Sequence, residues 1–216
     1  MKLIIGNKNY SSWSLRPWLL LSIYDIPFEE LRIPLYTEHT KQALAAYTDA
    51  GKVPVLHDDG AVVWDSLAIC EYVSEQHLDG RGWPAGVAER AEARSCSAEM
   101  HSGFFHLRNE LPMNCRATDR NVAMTPGLAA DIQRIEAMWT GLRRRFSHRG
   151  PWLFGEFSIA DCMYAPVASR FRTYGVGLPE ACAAYVEHLL VSRHMMLWYR
   201  QAADERETID AEEVGR

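Results

Sequence analysis

Three short stretches hold residues that can bind a small molecule and hold a charge on it. The first is Asn9-Tyr10-Ser11-Ser12-Trp13-Ser14-Leu15-Arg16-Pro17-Trp18. It follows an apolar run, Lys2 to Gly6, and precedes a helix-like run, Trp18 to Tyr24. A strand, a hydroxyl-rich turn and a helix start bring backbone N–H groups and hydroxyls to face an anion. Proline belongs in the first turn of a helix, so Pro17 predicts Ser14 as the N-cap. Ser11 and Ser12 then lie in the preceding loop with free hydroxyls. The second stretch is Lys52-Val53-Pro54-Val55-Leu56, a strand with a proline inside it. The third is Asp65-Ser66-Leu67-Ala68-Ile69, an N-cap pattern opening a helix. Each has a plainer reading. Three serines can form a polar turn, the proline can be an ordinary trans residue at a sheet edge, and Asp65-Ser66 can be a simple cap.

The elements around these stretches set their relation. Residues 2–6 read as a buried strand and Ser14 to Tyr24 as a helix with Leu15, Trp18, Leu19 and Ile23 along one side. Phe28 to Leu35 alternates as a half-buried strand does, completing a βαβ unit. Residues 38–47 are weakly helical. His57-Asp58-Asp59-Gly60 is a hairpin turn between strands at 52–56 and 61–64. The first 78 residues therefore predict a mixed sheet of four strands with three helices. Residues 79–86 are rich in Gly and Pro and read as a linker.

No strand pattern of any length appears beyond 87. A long helix spans 87–111, broken near Gly103, and a loop follows from Asn114 to Thr125. Thr125-Pro126 opens another helix that closes on Arg143-Arg144-Arg145. Ser158-Ile159-Ala160-Asp161 is a capping-box pattern opening a helix to Arg172. Further helices fit 179–191 and 193–202. The helical region spans 87–203, and the charged residues 204–216 read as a solvated tail.

Composition narrows the function. The chain has 216 residues and a net charge of −5, so no basic field attracts nucleic acid. No apolar run reaches the roughly 18 residues a membrane span needs, and the first residues lack a secretory pattern. The five cysteines are scattered, with no C-x-x-C pair, and the eight histidines show no ligand spacing. No metal site is expected, and reduced thiols point to the cytoplasm.

An N-terminal α/β unit, a linker and an all-helical region, with the three stretches in this order, resemble the soluble glutathione S-transferase family. Ser11-Ser12-Trp13-Ser14-Leu15-Arg16 looks like the serine-type active-site turn, above all the zeta-like Ser-Ser-Cys pattern followed by an arginine. Lys52 to Leu56 matches the family's V-P-x-L strand with its cis proline. Asp65 to Ile69 matches its [Glu/Asp]-Ser-x-Ala-Ile segment, and Ser158 to Asp161 the capping box of its second domain. The resemblance covers roughly residues 2–200. It implies a thioredoxin-like glutathione-binding domain over 1–78, a linker at 79–86, an all-helical domain over 87–203 and a homodimer.

It also implies glutathione as co-substrate, with no tightly bound cofactor, and a detoxifying conjugation of the glutathione thiolate to a hydrophobic or unsaturated electrophile. A glutathione-dependent isomerase or lyase, or a non-catalytic glutathione-binding module, would use the same site. Ser11 matches the thiolate-stabilising serine, with Ser12 next and Tyr10 a distant third. Val53 presents its backbone to the cysteinyl part, Pro54 turns that backbone, and Asp65 and Ser66 hold the γ-glutamyl end. Lys52 and His39 are candidates for the glycyl carboxylate. His101, Phe104, Phe105 and Arg108, at helical spacing, would line the electrophile pocket, and Arg170 or Arg172 could bind an acidic substrate. Trp13 stands where zeta-like enzymes carry cysteine, which argues against thiol exchange and weakens the case for the zeta class's own isomerase activity.

Overall fold

The computed structural model describes residues 1–216. Its sheet has four strands: β1 (Lys2–Ile5), β2 (Glu29–Arg32), β3 (Val55–Asp58) and β4 (Ala61–Val63), in the order β2-β1-β3-β4. β1 and β2 are parallel, with Leu3 opposite Glu30. β3 is antiparallel to β1, with Ile4 opposite Val55, and β4 is antiparallel to β3. Asp59 and Gly60 turn the hairpin with φ of 44° and 83°, the positive values that an Asp-Gly turn accepts. The mixed sheet and its strand order are those the alternating sequence predicts.

Helix α1 (Ser12–Ile23) connects β1 to β2 across the sheet, α2 (Thr40–Ala45) leads to β3, and α3 (Ser66–His77) follows β4. The start of α1 differs from expectation. Ser11, not Ser14, is the N-cap, and Ser14 N–H donates to Ser11 Oγ at 3.3 Å. Pro17 therefore lies inside the helix rather than in its first turn. A proline there removes one helical N–H, but most of α1, from Ser12 to Leu21, is buried. Tertiary packing therefore overrides the local preference.

The remaining helices are α4 (Val87–Ser102), α5 (Phe105–Glu110), α6 (Pro126–Phe146), α7 (Ile159–Thr173), α8 (Glu180–Leu190) and α9 (Arg193–Ala203). The predicted break near Gly103 separates α4 from α5, where Phe104 has a left-handed φ of 57°. A side chain at Gly103 would stand 2.9 Å from Glu99 O, so glycine lets the chain turn there. Thr125 caps α6, with Pro126 at its start. Ser158 and Asp161 form the reciprocal capping box of α7, Ser158 N–H donating to Asp161 Oδ2 at 2.9 Å.

One apolar core runs through both parts, from Leu3, Leu15 and Ile69 to Trp139, Tyr164 and Trp198. α1 packs on α7, α3 and α9, so the turn at its start rests on the helical part of the chain. No helix is long and apolar enough to cross a membrane. Residues 204–216 are not a solvated tail. Glu205 and Ile209 are buried, and the segment lies back across the region after β1. Composition alone suggested solvation, because the fixed polar partners of these acidic residues lie far away in sequence.

Candidate active site

The three stretches meet at one end of the sheet. They line a cleft of about 790 Å³ together with residues of the helical part. Ser11, Ser12, Lys52, Val53, Pro54, Asp65 and Ser66 all reach it. The Val53–Pro54 peptide is cis, as is Trp64–Asp65. Neither the N–H nor the C=O of Val53 bonds within the chain, so both are available to an extended ligand backbone.

Ser66 is the first residue of α3 and its N–H has no partner within the chain. Its hydroxyl accepts from Arg16 Nη1 at 3.2 Å. A helix N-terminus with a buried arginine behind it suits a carboxylate. Asp65 has two tasks. Its Oδ1 caps α3 by accepting from Leu67 and Ala68 N–H, and its Oδ2 lies 2.9 Å from His101 Nε2. Burial lowers the His101 pKa below the ordinary imidazole value; Asp65 opposes the shift, and Arg16 and Arg108 add to it. His101 Nδ1 is buried and has no hydrogen-bond partner within the chain.

At the start of α1, Ser11 and Ser12 differ. Ser11 Oγ donates to Ser14 Oγ at 2.7 Å, and Ser14 Oγ in turn accepts from Gly6 N–H at 3.1 Å. The expectation of a free Ser11 hydroxyl is corrected: as N-cap it belongs to a relay that ties α1 to β1. Ser12 faces the same cleft, and its hydroxyl has no partner within the chain. Tyr10 is excluded as a thiol donor, because its hydroxyl donates to Glu213 at 2.7 Å and accepts from Arg116 at 2.9 Å.

Trp13 walls the cleft beneath a layer of cations. The guanidinium carbons of Arg16 and Arg108 lie 4.3 and 4.7 Å from its ring centroid, and His101 meets its edge. Arg16 is fully buried, with Nε and Nη2 unpartnered. Burial, with the Arg108 and Arg170 charges, lowers its pKa to about 9, so it stays charged at neutral pH.

The side of the cleft formed by the helical part and the last segment holds Arg108, Asn109, Arg170 and Glu212. Arg108 is tied to the carbonyls of Met100, His101 and Gly103. Arg170 uses only Nε, donating to Leu111 O at 2.7 Å, which leaves its two Nη groups for a ligand. Burial and the Arg108 charge bring its pKa down to about 10.

Two sequence expectations for this side fail. Phe104 is buried in the core, and Phe105 is 67% exposed away from the cleft. The break at Gly103 rotates α5 relative to α4, so one helical spacing cannot run through both. His101 and Arg108 do face the cleft, His101 closer to the glutathione end than expected. His39 is exposed and absent from the lining. Glu212 was missed because its segment carries no periodic pattern, and Arg16 was noted in the turn without a role. The arginine that follows Ser-Ser in the family's turn pattern was the only signal for Arg16.

Comparison with known proteins agrees with this geometry. Residues 10–76 match the glutathione S-transferase N-terminal domain model, and residues 125–188 match the glutathione S-transferase C-terminal domain model. The chain belongs to the glutathione S-transferase family. Its first domain is thioredoxin-like and its second is helical. A probable maleylacetoacetate isomerase of Caenorhabditis elegans is 36% identical over 99 residues, 46% of this chain and 46% of that protein. The chain thus matches about half the length of that relative. A glutathione transferase homolog from Burkholderia with bound glutathione has a TM-score of 0.71 at 22% identity, covering 95% of this chain and 98% of that one. A maleyl pyruvate isomerase, described as a bacterial glutathione S-transferase of the zeta class, has a TM-score of 0.69 at 23% identity, covering 94% and 96%.

Proposed function

We propose that this chain is an enzyme that adds the glutathione thiolate to an unsaturated electrophile carrying a carboxylate. Free Nη groups on buried Arg170, in the same cleft as the serine turn, carry this reading. The relatives named maleylacetoacetate isomerase and maleyl pyruvate isomerase point the same way. Glutathione lies with its γ-glutamyl carboxylate at Ser66 N–H, its ammonium at Asp65, its cysteinyl backbone at Val53 and its glycyl carboxylate near Lys52. The thiol then faces Ser11 and Ser12.

A free thiol has a pKa near 8.5. Hydroxyl donors and the N-terminus of α1 favour the anion. Ser12 can donate without breaking any bond, and Ser11 donates by turning its proton away from Ser14. The thiolate attacks the β-carbon of the conjugated system, and the electron pair moves onto the carbonyl oxygen as an enolate. Arg170 holds the substrate carboxylate and fixes the approach. Protonation of the enolate gives a conjugate. If instead the former double bond rotates and the thiolate leaves, the product is the geometric isomer and glutathione is regenerated. The isomerase names favour this second outcome.

The wider setting is part of the same proposal. Five unpaired, buried thiols suit the reducing cytoplasm. Val62, Trp64 and Val87 are apolar and exposed on the single chain, which suits a homodimer. Sedimentation checks the dimer. The test of function is an assay of α,β-unsaturated acids with glutathione, following both thiol loss and geometric isomerisation. Thiol loss without isomerisation supports conjugation, the reverse supports isomerisation, and neither overturns the reading.

A further inference from the structure

The segment 204–216 buries acidic groups against the turn that carries the serines. Glu205 Oε1 accepts from Lys8 N–H at 2.6 Å, and Oε2 from Asn9 N–H at 3.1 Å. Glu213 accepts from Tyr10 Oη at 2.7 Å, Asn114 Nδ2 at 2.9 Å and Arg120 Nη2 at 2.6 Å. Arg116 donates to the carbonyls of Glu205 and Glu207 as well as to Tyr10. The segment is docked to its end. Gly215 O accepts from Asn121 N–H, and Gly215 has a φ of 75° where a side chain would stand 2.8 Å from Asn121 O.

A buried carboxylate is costly unless it is paired. Burial pushes the Glu213 pKa up, yet the bonds from Tyr10, Asn114 and Arg216 bring it net below the ordinary carboxylate value. Apart from Arg216, these partners of Glu205 and Glu213 lie at residues 8–10 and 114–120, and Tyr10 among them lines the cleft. Docking of the segment and order in the serine turn are therefore one equilibrium. The residue before Glu213 is Glu212, which lines the cleft with Arg170 and is the only carboxylate on that side.

We propose that segment 204–216 is a working wall of the cleft: Glu213 is a positioning residue for the Tyr10–Ser11 turn, and Glu212 is a specificity residue that offsets the charge of Arg170. The second part rests on the anionic-electrophile reading above. An arginine with a carboxylate beside it attracts an acidic substrate less than a lone arginine does. Glu212 thus restrains binding of acids while leaving uncharged electrophiles unaffected.

The test uses full-length variants. Glu213→Ala should raise hydrogen exchange over residues 8–14 and lower kcat/KM for glutathione about tenfold, with Glu213→Gln restoring part of both because it keeps an acceptor oxygen. Circular dichroism confirms that the fold persists. Unchanged exchange over 8–14 in a folded Glu213→Ala protein overturns the positioning role. Glu212→Gln is assayed on an α,β-unsaturated keto acid and on its methyl ester. The ratio of kcat/KM, acid over ester, should rise about fivefold for the loss of one screened charge. An unchanged ratio overturns the specificity role. If the wild type turns over neither compound, the functional reading fails, and the exchange measurement still decides the role of Glu213.

Discussion

The two ends of the cleft are built in different ways. The end assigned to glutathione by the proposed function comes from three short stretches, at 9–16, 52–54 and 64–66; local signals, a hairpin and a helix start, place the last two, and packing of α1 helps to place the first. The end assigned to the electrophile by the same proposal comes from single residues on separate elements: Arg108 on α5, Arg170 on α7 and Glu212 in the segment after α9. The first end presents backbone N–H groups and hydroxyls. The second presents charges. A co-substrate common to a whole family suits the first construction. Selectivity can change at the second by one substitution without disturbing a motif.

Substitutions at the two ends should therefore give different kinetic signatures. The largest effect is expected for the Ser11→Ala/Ser12→Ala pair. Removing donors to a developed anion lowers kcat on the order of 100-fold, while the glutathione KM should move little, because the proposed pose assigns glutathione binding to Val53, Asp65 and Ser66. Stopped-flow and steady-state assays measure both, and a large KM rise with unchanged kcat would erase the distinction between binding and activation. Arg170→Gln comes next. Losing charge-assisted bonds of about 1.5–3 kcal/mol should lower kcat/KM for an unsaturated acid about 10- to 100-fold and leave its methyl ester unaffected. Equal losses on both would place Arg170 in the scaffold.

Asp65→Asn sharpens the other end. Asparagine still caps α3, so the fold should hold while loss of the charge raises the glutathione KM about tenfold, with kcat nearly constant. Calorimetric titration of glutathione checks it directly. A smaller effect separates the two serines. Ser11→Ala removes the N-cap of α1 and should cost about 1 kcal/mol in stability, whereas Ser12→Ala should cost little. Denaturant midpoints distinguish them.

The smallest effect concerns pH. Glu213 has a pKa lowered from 4.5 in the folded chain. Its stabilising contribution is thus present above about 4.5 and is lost as pH falls through the lowered folded value. Hydrogen exchange over 204–216 should rise in that acid window, and a segment equally protected throughout would contradict the assignment.

How much of this the sequence disclosed follows the same division. The sheet, the Gly103 break, the Thr125 cap and the Ser158–Asp161 box all rest on short-range chemistry and can be seen locally. So can Val53, Pro54, Asp65 and Ser66. Ser11 was the right residue for the cleft but not for the reason given, because packing of α1 lets Pro17 sit inside the helix and moves the cap forward. Phe104 and Phe105 were misplaced because a left-handed residue interrupts the helical phase. Segment 204–216 looked solvated because Glu205 and Glu213 find partners about 100 to 200 positions away, and no local pattern encodes such a pairing.

The central claim is that the turn at the start of α1 holds a glutathione thiolate. The most direct measurement is the ultraviolet absorbance of thiolate in the protein–glutathione complex, titrated with pH. Wild type should ionise bound glutathione about two units below the free thiol value near 8.5, and the Ser11→Ala/Ser12→Ala protein should return it close to that value. Bound glutathione that ionises at the free value in wild type, or at the same lowered value without the two hydroxyls, would contradict the account.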